Sequence, residues 1–305
     1  MKIFFNEGAL VLTTLLWGVT FVVIKLSLND VSPLLFVSLR FTLASLILLP
    51  FMFGIFKTFT KEVLIGGIIL GLLNFAGFAT QTIGLKFTSA TKSGFITGTF
   101  VVFTPILQLI IEKRVPRKEN VFGILLVLVG LAFLSSKGNS LFDIFAELGE
   151  NFNIGDFFTL LCAIVFAAYI VYLDMISYKI DYKALVLIQI IITGILGWLF
   201  TYFLSVTGLE KFSFHLNNTM AFGIIYTALF ATVIATTLQT KYQKFVTPTK
   251  AAIIFSLEPI FAATFAFFII NERVSNFGFI GCIFIFTGLL VSELLGKREA
   301  NDKQQ

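Results

Sequence analysis

Glu258 stands beside Pro259 in IIFSLEPIF (253–261), a run that is otherwise almost entirely apolar. A carboxylate in such a setting suits two tasks: holding a substrate amine or carrying a proton. It also has a structural use, as a neutral group bonded to the backbone of a neighbouring helix. Pro259 removes one backbone donor and frees the carbonyl of Phe255, which lies one turn before Glu258 on the same face. Pro105, after Thr104, does the same in FVVFTPILQ (100–108). Both prolines are hinge or kink candidates. A kink can shape a cavity, hinge a gate or simply serve packing.

Two amide-bearing stripes add to these. Asn74, Phe78, Gln81 and Thr82 fall at i, i+4, i+7 and i+8, on one helical face. Thr232, Thr236, Gln239 and Gln243 fall at i, i+4, i+7 and i+11. Such stripes either line a polar cavity or hydrogen-bond between helices, at about 0.6–2 kcal/mol per contact. Trp17 and Tyr169 are aromatic residues deep in apolar segments and can flank a ligand or fill a core. Arg40 pairs with an acid, caps carbonyls or meets an anionic substrate, and Lys25 snorkels toward Asp30.

Other chemistry has no residues to run it. The sole histidine, His215, lies in a short polar loop, and Cys162 and Cys282 have neither metal-ligand spacing nor a disulfide framework. No GxxxxGK[ST] loop occurs, so the chain is not itself a P-loop pump. No cofactor or metal is called for. A membrane-embedded transferase would need His or paired carboxylates at an interface, and the loops are too short to build one.

The elements that position these residues follow from composition. The chain is 57% hydrophobic and 13% charged with a mean hydropathy of +0.96, against about 25% charge in a soluble domain. Ten apolar segments can each cross a bilayer: 8–28, 33–54, 64–85, 90–111, 120–136, 155–174, 183–206, 219–240, 249–270 and 276–295. The first has no small-residue cleavage site and reads as a retained helix. With the N-terminus inside, fifteen Lys and Arg fall in inside segments and five in outside ones, which puts both termini in the cytoplasm. The net charge of +5 is this loop bias, and nucleic acid is not a partner.

The segments repeat. ATKSGF (90–95) leads the fourth span and PTKAAI (248–253) the ninth; each span ends in an acid–basic turn, IIEKRV (110–115) and INERVS (270–275). The fifth and tenth share Gly123/Gly130 and Gly281/Gly288. Gly67/Gly71 and Gly94/Gly98 are further faces for close helix packing. Five spans per half invert the second copy, a recurrent plan of secondary transporters with the substrate site between the repeats. The expected division is a first repeat over 1–136, a connecting loop 137–154, a second repeat over 155–296 and a cytoplasmic tail 297–305.

Several stretches, in this order, resemble the EamA-type drug/metabolite transporter superfamily: LLWGVTF (15–21) with Lys25, LRF (39–41), GLKFTSATKSGFITG (84–98), GDFF (155–158) with AAYIVY (167–172), and TPTKAAIIFSLEPIFAATFAFFIINERVS (247–275). The resemblance covers about residues 8–295. It implies an all-α integral membrane protein of ten transmembrane helices, arranged as two inverted five-helix repeats. It also implies export or exchange of amino acids, other metabolites or drugs, with spans one, three, four, six, eight and nine around the cavity. The expected substrate-binding set is Trp17, Asn74, Phe78, Gln81, Thr97, Tyr169, Gln239, Phe255 and Glu258. Pro105 is seven residues before Glu112 whereas Pro259 is thirteen before Glu272, so the two halves are expected to differ there.

The expected function is export of a small organic metabolite, an amino acid or related amphipathic compound, across the plasma (inner) membrane. The partners are that substrate and the lipid bilayer; protons as coupling ion and uncoupled facilitation are equal alternatives, and oligomeric state is left open. A nucleotide-sugar or sugar-phosphate antiporter is the alternative, and it would need more cavity cations than Arg40 and Lys25.

Overall fold

The structure is a computed structural model of the 305-residue chain and describes residues 2–52, 54, 58–135, 152–178, 180–273 and 275–302. Most of the expected connecting loop, 137–154, lies outside the described residues. Among these residues thirteen α-helices run in the order α1 (Lys2–Ser27), α2 (Pro33–Leu48), α3 (Lys61–Phe87), α4 (Ala90–Gly98), α5 (Phe100–Glu112), α6 (Lys118–Ser135), α7 (Ile154–Ser177), α8 (Tyr182–Val206), α9 (Asn218–Tyr226), α10 (Ala235–Tyr242), α11 (Pro248–Phe255), α12 (Glu258–Ile270) and α13 (Asn276–Asp302). A π-helical segment, Thr227–Ile234, joins α9 to α10.

Local chemistry sets the starts. Thr60, Ser89, Asn217 and Thr247 each accept a backbone N–H of their own first turn, and Asn153 and Asp156 form a reciprocal capping box at α7. Pro33 and Pro248 occupy the first helical positions, where the missing N–H costs nothing.

Among the described residues eight rods are long and apolar enough to span a membrane: Phe5–Ser27, Pro33–Phe51, Lys61–Phe87, Ala90–Glu112, Ile154–Ser177, Tyr182–Val206, Asn218–Phe245 and Pro248–Ile270. The helix α6 and the shorter apolar stretch Asn276–Ser292 of α13 complete ten. Their outer faces are greasy: Ile110, Ile283 and Phe268 are 67%, 67% and 74% exposed. Only hydrocarbon tolerates so much exposed apolar surface, so the chain is an all-α integral membrane protein. Helix α13 continues to Asp302, beyond the expected end of its span, through residues with good helix propensity such as Lys297, Arg298, Glu299 and Ala300.

The inverted repeat shows most clearly in spans four and nine. Each is two helices, α4–α5 and α11–α12, and both second halves are 13 residues long. Lys113 at φ 56° and Asn271 at φ 53° end them in the same left-handed turn. The two halves therefore break alike, contrary to the expectation from their prolines. In span nine the break lies at Ser256–Leu257, just before Pro259. In span four it lies at Thr99, with Pro105 six residues further on inside α5. Thr99 makes its own tight turn: its hydroxyl and its N–H both donate to Ile96 O, at 2.6 and 3.1 Å.

Helices α6 and α13 form one outer pair. A Cβ at Gly130 would sit 2.6 Å from Gly281 O, and one at Gly288 would sit 2.6 Å from Gly123 O. The shared glycine spacing is thus a pair of backbone-to-backbone crossings. Gly130→Val is expected to lower stability by about 1–3 kcal/mol through forced separation. Thermal unfolding in detergent measures it, with Gly8→Ala as control, since nothing lies within 4 Å of a Cβ there.

Candidate functional site

Spans four and nine cross at their breaks. A Cβ at Gly98 would lie 2.9 Å from Pro259 Cγ, and one at Gly94 would lie 3.1 Å from Ala262 Cβ. Beside this crossing lies a small cavity of about 30 Å³. That is room for two or three waters, so the walls stand close together. Spans one, three, four, six, eight and nine all contribute: Trp17 and Thr20; Asn74, Phe78 and Gln81; Phe100; Phe166, Tyr169 and Ile170; Thr236 and Gln239; Phe255 and Glu258. Both repeats therefore face it.

Eight of the nine expected substrate-binding residues meet there: Trp17, Asn74, Phe78, Gln81, Tyr169, Gln239, Phe255 and Glu258. Thr97 does not. It is 1% exposed behind the wall, and its hydroxyl has no hydrogen-bond partner. Thr20, Phe100, Phe166, Thr236 and Ile170 line the cavity without having been in the expected set. Thr20 is one turn from Trp17, Phe166 one turn from Tyr169 and Thr236 one turn from Gln239, so helical periodicity from each named residue would have found those three.

The polar wall divides into bound and open groups. Tyr169 donates to Gln189 Oε1 at 2.7 Å, Asn74 Nδ2 to Thr193 Oγ1 at 3.3 Å and Gln239 Nε2 to Gln243 Oε1 at 3.0 Å. The first two already act as interhelical bonds, and the third lies within span eight. Gln81 and Glu258 are different. They are 3% and 6% exposed, and neither side chain has a hydrogen-bond or ion-pair partner among the described residues. Glu258 is the first residue of α12, where the helix N-terminus favours negative charge.

The aromatic wall is tied to a buried cation. Trp17 packs on Phe255 with ring centres 5.4 Å apart, and Phe78 meets Phe166 edge-on at 5.2 Å. Behind Phe78 lies Arg40, 1% exposed, its guanidinium 4.4 Å from the ring centre. Arg40 Nε donates to Thr232 Oγ1 at 2.7 Å and its Nη2 to Ala231 O at 3.4 Å; Trp17 Nε1 donates to the same carbonyl at 3.0 Å. Ala231 lies in the π-helical turn, whose wider register presents backbone oxygen sideways. Of the expected roles for Arg40, carbonyl capping is the one observed. No acid pairs with it among the described residues.

Ionic contacts close the two ends of the bundle. Where α1 begins, Lys250 meets Glu7 at 2.7 Å, and Thr249 donates to Gln108 at 2.7 Å. At the opposite end Lys92 meets Asp156 at 2.6 Å. Lys25 reaches the carbonyls of Leu85 and Thr88, both at 2.7 Å. It caps the C-terminus of α3 and does not reach toward Asp30, because a helix end offers unpaired carbonyls and a favourable dipole.

Comparison with known proteins places this geometry. Residues 7–136 and 153–294 each match the EamA-like transporter family. An uncharacterized transporter of Archaeoglobus fulgidus is 34% identical over 295 residues, which is 96% of this chain and 87% of that one. A second from the same organism is 27% identical over 291 residues, 93% and 95% of the two chains. A protein crystal structure shares the fold at a TM-score of 0.73 over 95% of this chain and 96% of the other, with 17% identity.

Proposed function

The chain belongs to the EamA-like transporter family, and from that we propose that it is a secondary transporter exporting a small organic metabolite, an amino acid or related amphipathic compound. One repeat rocks against the other around the cavity, so that its two ends open in turn. The observation that carries this reading is a cavity walled by both repeats in which one carboxylate, Glu258, has no partner among the described residues. An aromatic wall of Trp17, Phe78 and Phe255 suits the apolar part of such a substrate, and Glu258 suits its amine.

The two ionic ends fit the same scheme. Lys250–Glu7 and Lys92–Asp156 each tie a residue of one repeat to one of the other, and one of them must part for each opening. Proton coupling enters when the emptied Glu258 takes a proton for the return step. The chain would lie in the plasma (inner) membrane with both termini in the cytoplasm, on the loop bias of Lys and Arg.

Counterflow tests the proposal. Proteoliposomes loaded with a mixture of unlabelled amino acids are expected to accumulate trace labelled amino acid above its outside concentration. Liposomes holding protein that binds no solute and shows no counterflow with amino acids, other amines or sugar phosphates would overturn it.

A further inference from the structure

The break of span nine carries more than the Glu258 side chain. At Ser256 the helix tightens: its N–H is shared among the carbonyls of Ala252, Ile253 and Ile254, and Leu257 N donates to Ile254 O at 3.2 Å. Ile260 N and Phe261 N both turn to Leu257 O, at 3.1 and 3.2 Å. Two carbonyls are skipped by this pattern. Ser256 O receives no backbone donor, and Phe255 O has none because the residue four positions on is Pro259. Within four residues the chain therefore holds two unpaired carbonyl oxygens and one unpaired carboxylate.

The other repeat closes on this break, where helix α4 packs through Gly98 against Pro259. Buried polar atoms are normally satisfied. Two carbonyl oxygens and a carboxylate without a partner among the described residues, beside one crossing of two broken helices, are therefore a vacancy for a donor or a cation. Discontinuous helices at membrane depth bind cations in this way, with freed carbonyls completing the coordination that a carboxylate begins.

We propose that this break is a monocation site and that its ligand is the primary ammonium group of the transported compound. The inference rests on the transport reading above and narrows its substrate class. A primary ammonium has three N–H donors. The Glu258 carboxylate neutralises its charge and takes one, while Phe255 O and Ser256 O take the others. A tertiary or quaternary amine carries the same charge but has one donor or none, and would leave the carbonyls unpaired at a cost for each. An alkali ion shares the oxygen chemistry but has no use for the rings of Trp17 and Phe255 beside it. Those rings accommodate an organic body and add a cation–π contribution.

Trp17 reports on the site directly. The chain has two tryptophans, and Trp198 lies on the outer surface, 43% exposed. In a Trp198→Phe background, Trp17 emission is titrated with n-propylammonium, with n-propyltrimethylammonium, and with NaCl and KCl at matched ionic strength. The expected result is a saturable change with the primary amine and binding at least about tenfold weaker for the quaternary one, from the lost charge-assisted hydrogen bonds. Glu258→Gln is expected to abolish the response. Pro259→Ala restores an N–H able to bond Phe255 O, and is expected to weaken the primary amine about tenfold while leaving the quaternary one unchanged. Equal affinity for the two amines, or full binding in both variants, would overturn the site. Saturation by Na⁺ or K⁺ at concentrations below those of the amine would overturn the ammonium assignment and leave an alkali-ion site. Counterflow is read separately, so transport that persists without amine preference would sink this inference alone.

Discussion

Proteoliposomes carrying Glu258→Gln are expected to lose at least about thirtyfold of their substrate flux while the protein unfolds no earlier than wild type. The two halves of that expectation have different physical sources. Truncating one partner of a buried, hydrogen-bonded charge pair costs about 2–5 kcal/mol, roughly thirtyfold or more in affinity, and on the proposed function that partner is the substrate. For stability the sign reverses. Glu258 makes no hydrogen bond within the described protein, so the amide removes no internal contact. Burying a neutral amide is also cheaper than burying a carboxylate. A structural carboxylate, bonded to a neighbouring helix, would give the opposite pattern, with a falling melting temperature and flux lost only in proportion to folded protein. Differential scanning fluorimetry and counterflow on the same preparation separate the two.

Asp156→Ala is expected to cost about 3–5 kcal/mol of stability, the range for removing one partner of a buried ion pair. The side chain of Asp156 is fully buried and that of Lys92 is 23% exposed. Thr88 Oγ1 donates to Asp156 at 2.7 Å and the backbone N–H of Asn153 at 2.9 Å. Alanine strands all three donors and also removes an acid from the first turn of α7, where the helix dipole favours it. Asp156→Asn keeps the shape and part of the hydrogen bonding, so about 1–2 kcal/mol is expected. Thermal unfolding of the two variants in one detergent gives the ranking. Near-equal losses for both would mean that charge, and not hydrogen bonding, carries the contact. Because Asp156 ties the span six terminus to the turn between spans three and four, its loss also loosens one end of the cavity.

Much of this protein was legible as sequence because the bilayer imposes few solutions. Apolar runs of twenty residues must be helices when no water can satisfy their backbone, so ten spans, two halves and the glycine spacing at 123, 130, 281 and 288 could be read directly. Residues such as Gln81 and Glu258 announced themselves by polarity alone, since an amide or carboxylate at depth needs a reason.

Other features could not be read because they depend on register between distant elements. Thr99 breaks span four with one hydroxyl bond to Ile96 O, a competition that threonines elsewhere in the bundle do not win. Pro105 looked the stronger signal and sits inside α5. Lys25 had an acid five residues away in Asp30 but found the end of α3, sixty residues on. Arg40 found a π-helical carbonyl in span eight.

Composition and periodicity, then, determined which segments cross the membrane, how they repeat and which polar residues are unusual, since these follow from the solvent around each helix. Only the packed structure decided which polar groups pair and which stay open. Asn74 and Tyr169 are bonded across helices and Gln239 within its own span, while Gln81 and Glu258 have no partner among the described residues. Pairing depends on angstrom-scale distances between helices far apart in sequence, and a side chain's identity does not contain that distance.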